Sequence, residues 1–237
     1  MAVADLPQQI RQLQQVSLFR DISLAELGKI AELSRPRHVE REGFFFHQGD
    51  PGTVLYVLTQ GQVKLTQLTP EGSQVLLRFI TPGEMFGGIA ALGDTSYPVS
   101  AQAAKDCAAL AWDGDMLTRL MESYPRIALN ALRHLAGRVQ ELQQRNLELA
   151  TERVERRVAH ALLRLASASG RKVEGGVLID LPLSRQDVAE MTGTTLYTVS
   201  RILSGWQEQG IIEAGREKVL IRYPHGLVTI AEDLPQD

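Results

Sequence analysis

The sequence predicts an α+β protein built from a small antiparallel β-domain, one long helix, and a C-terminal pair of helices followed by a hairpin. Three observations carry that prediction. Short β-rich runs separated by Gly- and Pro-containing turns fill residues 37–112; helical periodicity dominates from about 115 to 168; and residues 178–222 read as strand, helix, turn, helix, hairpin.

In chain order, residues 5–34 carry Leu13, Val16, Leu24, Leu27, Ile30 and Leu33 at helical spacings. The next block is punctuated by Gly49-Asp50-Pro51-Gly52, Gly61, Pro70-Glu71-Gly72, Pro82-Gly83 and Gly87-Gly88. Runs such as Val54–Leu58, Val63–Leu68 and Val75–Ile80 lie between these turns, at the spacing of a small barrel or sandwich. A break near Pro125 precedes the long helix. There Leu132, Leu135, Val139, Leu142, Asn146 and Leu149 are spaced 3-4-3-4-3. A 3.5-residue repeat on one face needs a like partner, so these six residues are expected to form a dimer interface, with Asn146 setting a two-stranded register.

The chain has 237 residues, 44% of them hydrophobic, and a net charge of −3. Bulk charge therefore does not point to nucleic acid, and any such contact must come from a local face. The single cysteine, Cys107, excludes an intrachain disulfide and a cysteine-held zinc or iron–sulfur site within one chain. It suits a reducing, cytoplasmic location. The N-terminus lacks the charged and apolar regions of a signal peptide, and no stretch of 18 uncharged apolar residues occurs, so no membrane association is expected.

Residues 184–209, SRQDVAEMTGTTLYTVSRILSGWQEQ, carry the most informative pattern. Ser184 with Asp187 resembles a capping box, Gly193 suits a tight turn, and Thr194 or Thr195 can cap the second helix. Val199, Ile202, Leu203 and Trp206 fall on one face and Tyr197, Ser200, Arg201 and Ser204 on the other. A recognition helix needs this arrangement, with one side anchored and the other entering a DNA major groove. Gly210-Ile211-Ile212 and a hairpin turning near Gly215-Arg216 follow, which completes a winged helix-turn-helix.

With those motifs in view, the sequence resembles the superfamily of the cyclic-AMP receptor protein and the fumarate–nitrate reductase regulator. The matching stretches are FFFHQGDPGTVLYVLTQGQVKL, TPGEMFGGIAAL, the long helix and TGTTLYTVSRILSGWQEQGII. The resemblance implies a cyclic-nucleotide-binding-type β-roll with N-terminal helices over 1–124, a dimerisation helix over 125–150 and a DNA reader over 151–237. It implies a homodimeric transcription regulator that binds an inverted repeat in double-stranded promoter DNA, engages RNA polymerase and responds to an effector. The DNA-binding residues it marks are Arg185, Thr194, Thr195, Tyr197, Thr198, Ser200, Arg201 and Ser204. The family's Ser-Arg pair accompanies TTG-type half-sites, so Ser200-Arg201 implies the same outer bases. Tyr197 replaces the family's usual Glu.

The sensor departs from the cyclic-AMP pattern. The effector pocket that the resemblance marks is Phe86, Gly87, Gly88, Ile89 and Leu142. Gly88 stands where a Glu would bond ribose, and Ser96-Tyr97-Pro98-Val99-Ser100 lacks the Arg that would pair with phosphate. No Arg or Lys occurs between Arg78 and Lys105. Leu142 and Gln143 occupy the region where hydroxyl side chains would meet adenine. An effector other than cyclic AMP is therefore expected. SYPVSAQA and LYTVSR are similar to members that respond to nitrogen oxides, which keeps haem or a redox linkage open. A barrel ligand for haem would have to be His38 or His47, a Met or the N-terminus, and His47 reads as a turn residue. Cys107 reads as a small core residue. The competing reading is a ligand-binding or cupin-like module without a DNA role. The His-x-His spacing of a cupin metal site, a nucleophile elbow and a P-loop are all missing, so neither a metal site nor catalytic residues are expected.

Overall fold

The computed structural model describes residues 6–93, 95–215 and 217–234, and the chain divides into two compact units, 1–141 and 142–237. Arg216, assigned above to the hairpin turn, and the side chain of Ile89 lie outside the described residues.

The first unit opens with α1 (Leu6–Gln14), a 3-10 turn at Ser17–Phe19 and α2 (Leu24–Glu32). The stretch expected to be helical is thus interrupted. Asp21 takes a positive φ of 63°, and Ser23 starts α2 afresh in a reciprocal capping box with Glu26. Eight strands follow: β1 (Arg35–Val39), β2 (Phe44–Phe46), β3 (Val54–Gln60), β4 (Val63–Leu68), β5 (Gln74–Ile80), β6 (Met85–Phe86), β7 (Ser100–Ala103) and β8 (Cys107–Asp113). A short α3 (Gly88–Gly93) precedes β7. The strands form two antiparallel four-stranded sheets, ordered β1-β8-β3-β6 and β2-β7-β4-β5.

Strand alternation builds the layers. Leu55 and Val57 of β3, with Leu110 and Trp112 of β8, pack against the helices. Tyr56 and Leu58 point the other way, into an interior shared with Phe45, Phe46, Val63, Ala101 and Cys107. The helical layer is completed by α4 (Gly114–Ser123) and the first turns of α5 (Pro125–Thr151). Buried polar groups there are satisfied. The Trp112 indole N–H donates to the Ile30 carbonyl at 3.1 Å, and the Asn130 amide donates to the carbonyls of Leu18 and Arg20 at 3.0 and 2.8 Å. Pro125 opens α5, where its missing N–H costs nothing, and the division between the units falls within this helix.

The second unit continues with α6 (Val154–Ser169), β9 (Gly170–Val173), β10 (Gly176–Ile179), α7 (Arg185–Thr192), α8 (Leu196–Glu208), β11 (Ile212–Gly215), β12 (Lys218–Ile221) and α9 (Pro224–Ala231). The helical pattern read across 115–168 contains a second break at Glu152 and Arg153, where Arg153 turns extended to cap α6. One antiparallel sheet, ordered β11-β12-β10-β9, backs the helices. The end of α5 is tied to α6 by an ion pair. Glu148 is 3% exposed, and Nη1 of Arg164 lies 2.8 Å from each of its carboxylate oxygens.

Candidate nucleic-acid interface

Local chemistry builds the helix-turn-helix. The Ser184 hydroxyl accepts from the Asp187 N–H at 3.0 Å, and the Asp187 carboxylate accepts from the Ser184 N–H at 2.8 Å, so α7 starts with a complete capping box. Gly193 ends α7 in the left-handed region at φ 61°, which a residue with a Cβ adopts only under strain. Thr195, rather than Thr194, caps α8, accepting from the Thr198 N–H at 3.2 Å. Behind α8, Val199, Leu203 and Trp206 are buried and Ile202 is half-buried. The Trp206 indole N–H donates to Glu155 at 3.0 Å, which locks the anchored face to α6.

The opposite face is open. Tyr197 is 77% exposed, Arg201 and Ser204 are exposed, and Ser200 is half-buried beside them. Arg201 makes no ion pair among the described residues, which leaves its guanidinium free for an external acceptor. Arg185 is exposed at the first position of α7, and Thr194 and Thr198 are half-buried. One residue of this face escaped the sequence reading. Leu196 is 48% exposed at the first position of α8, although its spacing to Val199 and Leu203 assigns it to the apolar side.

The β-roll interior is filled by aromatic rings. Tyr97 stacks on Phe46 with centroids 3.7 Å apart and planes 12° from parallel. The Tyr97 hydroxyl donates to the Val54 carbonyl at 2.9 Å and accepts from the Val54 N–H at 3.0 Å. Burial pushes the Tyr97 phenol above its ordinary pKa, so it stays a neutral donor at neutral pH. Phe86 lies 5.0 Å from Phe45 and 5.1 Å from Tyr56. Gly87 has φ 80°, and a Cβ there would come within 2.6 Å of the Val54 carbonyl oxygen; a Cβ on Gly88 would meet Leu55 at 2.7 Å. Phe86, Gly87 and Gly88 thus stand together beside the rings, whereas Leu142 belongs to the other unit and is 63% exposed.

His38 and His47 are both exposed; the His47 ring lies 4.2 Å from Phe44, and its backbone N–H donates to Asp50 at 2.8 Å. Neither reaches the aromatic interior, so these histidines do not fit an axially ligated haem there. Cys107 is buried, and its Sγ donates to the carbonyls of Lys105 and Gln62 at 3.1 and 3.3 Å. On α5, Leu132, Leu135, Val139, Leu142, Asn146 and Leu149 are all exposed, against burial of Ile127 and Asn130 near the start of the same helix.

Comparison with known proteins agrees with both halves of this architecture. Residues 36–124 match the cyclic nucleotide-binding domain, and residues 156–230 match the Crp-like helix-turn-helix domain. The chain is 31% identical to the cyclic AMP receptor protein of Thermus thermophilus over 177 residues, spanning 75% of this chain and 79% of that protein. It is 27% identical to the CRP-like cAMP-activated global transcriptional regulator of Mycobacterium tuberculosis over 209 residues, spanning 88% and 93%. Its fold is similar to that of FixK2 from Bradyrhizobium japonicum, with a TM-score of 0.73 at 24% identity over 83% of this chain and 96% of that one. No helix among the described residues is long and apolar enough to cross a membrane. The chain therefore belongs to the cyclic-AMP receptor protein and fumarate–nitrate reductase regulator superfamily of DNA-binding transcription regulators.

Proposed function

We propose that this regulator binds an inverted-repeat promoter site as a cytoplasmic homodimer, through Arg185, Thr194, Thr195, Tyr197, Thr198, Ser200, Arg201 and Ser204, and that it engages RNA polymerase there. In this reading a sensor covers 1–124, a dimerisation helix 125–150 and a DNA reader 151–237. The observation that carries it is the two-sided α8: Val199, Leu203 and Trp206 are buried, and Tyr197, Arg201 and Ser204 face outward. Arg201 reads a guanine, because a guanidinium matches guanine O6 and N7 with two parallel hydrogen bonds. Dimerisation uses the α5 seam of Leu132, Leu135, Val139, Leu142, Asn146 and Leu149, because an exposed row of large apolar side chains is stabilised by covering it with its own copy.

The effector is of a class other than cyclic AMP. What supports this is the pairing of Gly88 with a ring-filled interior and a stretch from 79 to 104 that offers no cation to a phosphate. The test of the DNA reading is selection from a randomised-site library. Wild type yields an inverted repeat with TTG-type outer bases, and Arg201→Ala loses about 1–3 kcal/mol per half-site and becomes indifferent at one base pair. If Arg201→Ala selects the same motif more weakly, Arg201 only grips phosphate and its base-reading role fails.

A further inference from the structure

We propose that Leu196 is a second base-reading residue and that it contacts the C5-methyl group of a thymine in the major groove. The inference rests on the assignment of α8 as the groove helix and names what its first turn recognises. Three observations carry it. Leu196 is 48% exposed beside Tyr197 at 77%, so the leading turn presents two large side chains to solvent. The two threonine hydroxyls of that turn are engaged with each other: Thr195 Oγ1 accepts from the Thr198 N–H at 3.2 Å and lies 2.9 Å from Thr198 Oγ1. Behind them, Val199 is fully buried, so α8 cannot roll to bring Leu196 inward without exposing its anchor.

An apolar side chain at the tip of a groove helix has one complementary feature among base edges. Adenine, guanine and cytosine present hydrogen-bonding groups there, whereas thymine adds a methyl. A leucine placed against the amino or carbonyl edges would desolvate them without pairing them, which penalises the other bases. Leu196 therefore selects thymine by attraction and rejects the alternatives by unpaired polar groups. Ser200, one turn further along, and Arg201 next to it read the outer bases of the half-site, so the thymine lies at a different position.

The test replaces thymines with deoxyuridine one at a time in the site selected by wild type, and measures affinity of the full-length protein by fluorescence anisotropy. Deoxyuridine removes the methyl and nothing else. Wild type is expected to bind roughly fourfold more weakly per half-site when one particular thymine loses its methyl, the effect of one lost buried carbon. Leu196→Ala abolishes that sensitivity, whereas Tyr197→Ala keeps it. Position 196 is exposed, so an unchanged melting temperature is expected to confirm that Leu196→Ala folds. If Leu196→Ala retains the wild-type pattern of methyl sensitivity, or no single replacement weakens wild type, the inference is wrong while the Arg201 reading stands. If wild type selects no motif at all, both fall together.

Discussion

The two ends of this chain turn their chemistry in opposite directions. In the β-roll the aromatic residues and the lone thiol face inward: Phe46, Phe86, Tyr97 and Cys107 are buried, and even the Tyr97 hydroxyl is closed onto the backbone of Val54. In the reader, the residues with recognition chemistry face outward while a tryptophan and two aliphatics hold the helix from behind. One unit thus spends its distinctive side chains on packing, while the other holds them out on an anchored helix. The contrast predicts that sensor substitutions act on stability and reader substitutions on DNA affinity.

The largest effect is expected where neither description applies, on the α5 seam. Leu135→Asp with Leu142→Asp would place four carboxylates in the proposed two-fold interface, each costing several kcal/mol unpaired. Sedimentation should then show monomers, and a retained dimer would place the interface elsewhere. Next, Phe46→Ala removes the ring on which Tyr97 stacks and should cost about 3–5 kcal/mol of β-roll stability in denaturant unfolding, with the reader still folded. An unchanged midpoint would mean that the aromatic interior is loosely packed. In the second unit, the Glu148–Arg164 pair should respond asymmetrically. Arg164→Ala strands a carboxylate that is 3% exposed and should cost about 3 kcal/mol, whereas Glu148→Ala leaves a half-exposed guanidinium that water can solvate, at about 1 kcal/mol. Equal losses would contradict the burial difference.

These contrasts explain what the sequence made legible. The helix-turn-helix was readable because its signals are local: Ser184 to Asp187, Gly193 at the turn, and a 3.6-residue period through Trp206. Strands β3, β4 and β5 were readable from their turns for the same reason. The aromatic interior was not, because Tyr97 meets Val54 across 43 residues and its hydroxyl carries no sequence signal. β9 escaped because Arg171 and Lys172 make it look like a loop until β10 pairs with it. The burial of Glu148 was not legible either, because its partner Arg164 lies beyond the break at 152 and 153. Leu196 went unread, because periodicity assigns a face but cannot say where the neighbouring chain stops covering it.

The smallest effect, and the sharpest test of the inward-facing sensor, is at Cys107. Burial raises its thiol pKa, its Sγ donates to two carbonyls, and a Cβ on Gly61 would sit 2.7 Å from that sulfur. The folded state therefore holds the proton more tightly than the unfolded chain does. For an acid with a raised folded pKa the stabilising contribution is present below the unfolded value, about 8.5, and is lost as pH rises through the folded value. Two consequences follow at neutral pH. A thiol reagent should label Cys107 only after denaturation, because the thiolate is the reacting form and burial suppresses it. DNA affinity should be the same in reductant and in mild oxidant, and Cys107→Ala should leave it unchanged while lowering stability by about 1 kcal/mol. Rapid labelling of the native protein, or a redox-dependent change in DNA affinity that Cys107→Ala abolishes, would show that the β-roll opens to solvent and that its one thiol senses what enters.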